Sequence, residues 1–375
     1  MITISSSFDG GNIEVVSQND LGDIQLNIRQ DTGADFFQWF YFRLQGAIGQ
    51  AVTLRILNAS EATFVEGWQD YQAVASYDRK KWFRVPSRYE NGELIVDVEV
   101  QKNSMYLAYF TPYSYEQHLD LLARSELSDS CHSDHIGSSV QGRDMTLLTI
   151  GQAEESRKKI WLIARQHPGE TMASWFVEGF LQRLLDENDA FARQLLQQAV
   201  FYIVPHMNPD GAVSGNLRAN AAGINLNREW VSPSEEGSPE VLCVQKHMEK
   251  TGCDLFLDIH GDEGIPYNYI ITQQGTSASE KILNMEQTFQ TAFMEASPDF
   301  QMTHGYAKGF FGSEIMTIAS NWVGNRFQCP AMTLEMPFKD NADLPDKQHG
   351  WSAERCQCLG RSMVQPISHL LPQLD

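Results

Sequence analysis

The chain has 375 residues, 42% of them hydrophobic and 20% charged. That is the composition of an ordinary globular protein, long enough for one large core and a smaller second one. Its 28 basic against 48 acidic residues leave a formal charge of -20, which argues against nucleic acid or an anionic membrane as the main partner.

The N-terminus lacks a basic region followed by an apolar core, and no apolar run is long enough to span a bilayer. Six cysteines, at 131, 243, 253, 329, 356 and 358, form no framework. Free thiols in a reducing cytoplasm are therefore expected.

Residues 1 to 113 read as a small N-terminal domain rich in strands. Period-two alternation runs through Ile24 to Ile28 and Leu94 to Val100, and aromatic runs at Phe36–Phe42 and Met105–Phe110 suit strands packed on both faces. Asp9-Gly10-Gly11 and Asn91-Gly92 supply turns. The expectation is an antiparallel β-sandwich.

From 114 to 375 the texture changes. Apolar strands at Met145–Ile150, Ile160–Ala164, Val200–Val204, Leu255–Ile259, Tyr269–Thr272 and Ala331–Met336 alternate with helices. The helices fall at 116–126, 171–186, 190–198, 239–250, 278–296 and 353–371. This predicts an α/β domain, its mixed, largely parallel sheet flanked by helices, with the site beyond the carboxyl ends of the strands.

Chemistry-bearing residues fall where that rule puts them. His167-Pro-Gly-Glu170 follows one strand, so a His and a Glu three residues apart face one point at a strand-to-helix turn. His260 closes another strand, and Glu335 sits within Thr333-Leu334-Glu335-Met336. Two His and one Glu form a zinc set with a fourth position left open. A further carboxylate inside an apolar strand is costly unless it has a task, and Glu335 is the candidate general base and acid. Arg218 and Arg228 share one loop segment, and a guanidinium matches both a carboxylate and a developing oxyanion.

Taken together, His167-Pro-Gly-Glu170, Asn208-Pro-Asp-Gly211, Gly215-Asn-Leu-Arg218, Asn225-Leu-Asn-Arg228, His260-Gly-Asp-Glu263 and Thr333-Leu-Glu-Met336 resemble the M14 zinc metallocarboxypeptidases, in their cytosolic carboxypeptidase branch. The resemblance implies the zinc carboxypeptidase-like fold and one Zn2+ per chain, held by His167, Glu170 and His260. It implies Glu335 as base and acid, and Arg218 polarising the scissile carbonyl. Asn227 and Arg228 would hold the terminal carboxylate of a peptide or protein substrate.

Two positions depart from the family pattern. Asn225 stands where an Asp often orients a zinc-bound histidine. The loop 309–314 lacks the family's mobile tyrosine, leaving Tyr306 as the expected stand-in. Arg326 and Lys308, in the segment expected to line the specificity pocket, suggest an acidic C-terminal residue as substrate.

Two other readings use the same residues: a zinc amidohydrolase for small N-acyl amino acids, and a silent peptide-binding module. His206 reads as a buried supporting residue. Cys131-His-Ser-Asp-His135 reads as a polar loop, not a second metal site, and Cys356 and Cys358 as structural.

Overall fold

The computed structural model describes residues 2–273, 278–307, 310 and 312–374, without the side chain of Ser313. The N-terminal domain is two five-stranded sheets. Buried Val52, Leu54 and Ile56 alternate along strand Ala51–Ile56, and Leu94, Val96 and Val98 along its neighbour Glu93–Glu99. The pairing is antiparallel except where Ile24–Asn27 runs parallel to Ala51–Ile56. The aromatic run is a strand only from Tyr41 onward. Phe37, Trp39 and Phe40 are buried without ladder pairing. Buried Gln38 instead donates to the Phe64 carbonyl (2.9 Å) and accepts from the Phe64 N–H (2.8 Å).

Ser114 then caps helix Tyr115–Ser125 with a reciprocal capping box through Gln117. The second layer is a seven-stranded sheet. Its central strands, Ala199–Val204, Lys158–Ala164, Leu255–Asp262 and Ala331–Pro337, are parallel. The flanking strands Asp144–Ile150 and Tyr269–Ile271 join antiparallel. All seven residues of Ala331–Pro337 and all eight of Leu255–Asp262 are buried, as two-sided helical cover requires.

The tract read as a polar loop is an edge strand, Cys131–Ser138, paired with Asp144–Ile150. Its polar side chains alternate toward solvent, and an edge strand with no fully buried face carries no hydrophobic period to read. His132 and His135 pair with Asp134 and Asp144 there and gather no metal set. Cys356 is buried and Cys358 exposed on helix Ala353–Ser362, so the two thiols face apart.

Helix Thr171–Leu184 packs on Ala353–Ser362 through two glycines. A Cβ on Gly179 would lie 2.0 Å from the Gln357 carbonyl oxygen, and one on Gly360 2.0 Å from that of Phe176. That contact fixes the helix whose N-terminus carries Glu170.

Candidate metal centre and active-site cleft

The turn after strand Lys158–Ala164 is set by Arg165, which has a left-handed φ of 64°. Its buried guanidinium donates to the Pro168 carbonyl (2.8 Å) and to Ser174 Oγ (3.0 Å). The turn 166–170 is thereby closed, with His167 and Glu170 on its inner side. Glu170 occupies the N-cap of helix Thr171–Leu184 without capping it, so its carboxylate is left for the centre. His260 and Glu335 are brought side by side by strand register, being direct partners in the parallel pair.

His167 Nδ1 lies 2.7 Å from Glu170 Oε1, His260 Nδ1 lies 2.8 Å from Oε2, and the two Nδ1 atoms are 3.2 Å apart. Among the described residues this is the one group of three or more His, Cys, Asp or Glu whose ligand atoms all fall within 4.8 Å.

The tautomers follow from the outer partners. Asn225 Oδ1 accepts the Asn227 N–H, so it is an acceptor for His167 Nε2–H as well, at 3.0 Å. Asp258 Oδ2 faces His260 Nε2 at 2.9 Å and accepts from Gln166 at 2.7 Å. Trp230 in turn donates to Gln166 Oε1 at 2.9 Å.

Each ring thus has Nε2 protonated and Nδ1 turned inward. Two lone pairs and a carboxylate converge on one point, an arrangement that is favourable only around positive charge. Burial, then Arg218, push His167 down to about 3, leaving it neutral as a ligand must be. Burial would lower His260 too, but Asp258 and Glu170 outweigh it and hold it well above its usual value. A divalent cation would engage every donor at once, so the residues fit a His₂Glu metal site.

The cluster forms the floor of a cavity of about 450 Å³. Glu335, Arg218, Asn227, Arg228 and Tyr306 all line it. Among the described residues, Glu335 Oε2 is buried without a hydrogen-bond partner. Burial, joined by Glu170, Asp262 and Glu263, holds this carboxyl well above the ordinary range, with His260 pulling the other way. A cation at the centre would favour its ionised form.

Asn227 Oδ1 accepts the Ala319 N–H at 2.8 Å, which leaves the NH₂ end toward His260. Arg228 donates to the Asn227 carbonyl (2.8 Å) and to Glu314 (3.3 Å). Burial, then Arg218, push Arg228 below its usual value while Glu314 opposes them, so two guanidiniums share a pocket that favours an anion. Tyr306 donates to Asp262, which also accepts from Tyr269 at 3.0 Å. The Tyr306 ring stacks on Phe310 with centroids 4.3 Å apart.

One expected pocket residue is elsewhere. Arg326 sits in the last turn of helix Ala319–Phe327 and forks onto Glu249 at 2.7 and 2.6 Å, on the exposed surface. Lys308, with Gly309 and Phe311 of the same stretch, lies outside the described residues. His206 is buried in an edge-to-face contact with His118 (5.3 Å), away from the cavity lining.

Three supporting residues lie outside the sequence motifs. Asp258 and Gln166 stand behind His260, and Asp258 is readable as an acid two residues before His260 on the same strand face. Asp31, from the N-terminal domain, accepts backbone N–H groups of Leu217, Arg218 and Ala219. No sequence signal connects it to them.

The fold and the site together define a metallocarboxypeptidase. Residues 4–110 match the cytosolic carboxypeptidase N-terminal domain and residues 115–354 match zinc carboxypeptidase. The chain belongs to that M14 family, in its cytosolic carboxypeptidase branch. A solved protein from Shewanella denitrificans superposes with a TM-score of 0.98 at 50% identity, over 100% of both chains. A metallo-carboxypeptidase from Pseudomonas aeruginosa gives 0.96 at 42%, again over 100% of both. Cytosolic carboxypeptidase 6 of Caenorhabditis elegans is 26% identical over 90% of this chain and 79% of its own length.

Proposed function

We propose that this carboxypeptidase uses one Zn2+ per chain to remove the C-terminal residue of peptides or proteins in the cytoplasm. The observation that carries the reading is Glu335. Its unpartnered carboxylate oxygen is buried in the cavity that holds both the His₂Glu cluster and two guanidiniums. A silent binding module has no use for a desolvated acid beside a metal site.

Zinc held by His167, Glu170 and His260 would supply Lewis-acid chemistry, polarising a carbonyl and acidifying water. Glu335 takes the proton of the attacking water and returns it to the departing amine. Arg218 donates to the carbonyl oxygen as negative charge gathers on it. Asn227, through its amide NH₂, and Arg228 hold the terminal carboxylate, so the bond one residue inward meets the reacting groups. Tyr306 belongs to the wall over the bound residue, its O–H turned to Asp262 until substrate competes for it.

The Pseudomonas relative is solved in complex with (2-guanidinoethylmercapto)succinic acid, and the carboxylates of that compound suit a guanidinium clamp. Names of relatives such as cytosolic carboxypeptidase 6 support the cytoplasmic assignment. We divide the chain into an N-terminal domain, 1–113, and a catalytic domain, 114–375, at the Ser114 cap.

A preference for acidic C-terminal residues loses its support from Arg326. The described wall offers Ser320, Asn321 and Thr333 instead. A peptide library with every C-terminal residue decides between an acidic and a neutral polar side chain. The same assay tests the main reading. Stepwise C-terminal shortening is expected, while turnover of small N-acyl amino acids alone would make the enzyme an amidohydrolase.

A further inference from the structure

We propose that Asp31 is the positioning residue for Arg218, so that the N-terminal domain holds half of the catalytic cleft in register. The inference rests on the reading of Arg218 as the oxyanion group.

The residue is buried at 4% exposure, and its two oxygens accept three successive backbone N–H groups. Leu217 donates at 2.6 Å, Arg218 at 2.7 Å and Ala219 at 2.8 Å. Consecutive amides wrapped on one carboxylate make an anion nest, and charge-assisted bonds of this kind are about twice as strong as neutral ones. The peptide planes on both sides of the Arg218 Cα are therefore fixed by a side chain 187 residues away in sequence.

Other contacts run the same way. Asn12 donates to the Gly215 carbonyl at 2.9 Å, and Asn216 Oδ1 accepts from the Thr32 N–H at 3.1 Å. Gly215 has a left-handed φ of 76°, and a Cβ there would sit 2.7 Å from the Gly11 carbonyl oxygen. The loop is thus moulded on the N-terminal domain before it reaches Arg218. At its far end the guanidinium lies 5.4 Å from the ring centre of Phe64, also from that domain and also lining the cavity. The domain grips both the backbone and the head of the arginine.

A carboxylate that merely joined two domains could bind any exposed backbone. This one binds the three amides centred on a residue of the cleft. Loss of its grip should therefore cost transition-state stabilisation more than substrate binding.

The test uses the full-length, zinc-loaded enzyme with a peptide substrate, comparing wild type, Asp31→Asn, Arg218→Ala and the double variant. Asp31→Asn is expected to lower kcat about 10- to 100-fold, the usual cost of losing an orienting partner, with KM changed less than about threefold. Amide hydrogen exchange at 217–219 should quicken in the same variant. In the Arg218→Ala background the Asp31 change should add nothing, because the group it positions is gone.

Full kcat in folded Asp31→Asn, or losses that simply multiply, would overturn the proposal. Full kcat in Arg218→Ala would remove the oxyanion reading beneath it, and is distinguishable because it concerns Arg218 alone. If Asp31→Asn does not fold, Asp31→Glu keeps the charge, shifts it by one methylene and carries the same expectations.

Discussion

The two sides of the cleft are built differently. On the metal side, His260 and Glu335 are direct neighbours across a parallel strand pair, and His167 and Glu170 share one short turn. Backbone ladders and a packed helix fix them, and side-chain partners such as Asp258 and Asn225 only tune ring orientation and basicity. On the arginine side, Arg218 comes from irregular backbone and Arg228 ends a short 3-10 turn, Leu226–Arg228, and side chains from elsewhere hold them: Asp31 and Asn12 on the Arg218 loop, Glu314 on Arg228. Supports on the metal side should therefore govern affinity for the ion. Supports on the loop side should govern the rate.

The largest expected effect removes the group that no other can replace. Glu335→Gln keeps shape and volume, so metal content should stay stoichiometric while kcat falls about 10³- to 10⁴-fold, toward the upper range for a general acid-base. Metal analysis beside single-turnover rates checks both halves. A mutant that kept its rate would take Glu335 out of the chemistry.

Next comes the proposed carboxylate clamp. Arg228→Ala, or amidation of the substrate's C-terminus, should each cost about 1.5–3 kcal/mol in kcat/KM, the worth of a hydrogen bond to a charged group. Applied together they should cost little more than either alone, since both delete one interaction. Independent, additive losses would place Arg228 away from the substrate carboxylate.

What could be read from the chain follows the same division. The cluster was legible because its geometry is local: His167 and Glu170 share one turn, and His260 stands at a strand end beside Glu335, as any parallel sheet would align them. Arg326 lies away from the pocket because its segment folds as helix Ala319–Phe327, which the sequence does not suggest. Its segment, with Ser320, Val323, Gly324 and two asparagines, is poor in helix formers, and tertiary packing makes it helical. Once helical, its last turn aims Arg326 at Glu249 on the surface. The Asp31 contact had no sequence signature at all, because it joins a turn in one domain to backbone amides in another.

A smaller effect tests the metal side. Asp258 supplies behind His260 the charged partner that Asn225 does not supply behind His167. Asp258→Asn should weaken zinc binding about 10- to 100-fold, with kcat of the zinc-saturated enzyme changed far less. Chelator competition measures the first and saturating zinc the second. A kcat loss that excess zinc cannot restore would erase the division between the two sides.

Smallest is the rim. The Tyr306 O–H is one of two phenols donating to Asp262, and its ring is held by Phe310 as well. Tyr306→Phe keeps that stack and leaves Tyr269 and the Gly264 and Ile265 N–H groups on the carboxylate. Net hydrogen bonds of this kind contribute about 1 kcal/mol, so kcat/KM should fall by roughly fivefold, mostly through KM. A drop in kcat comparable to that of Glu335→Gln would mean that Tyr306 touches the reacting atoms. The loop side of the cleft would then supply a group to the chemistry itself, beyond the roles proposed for Arg218 and Arg228.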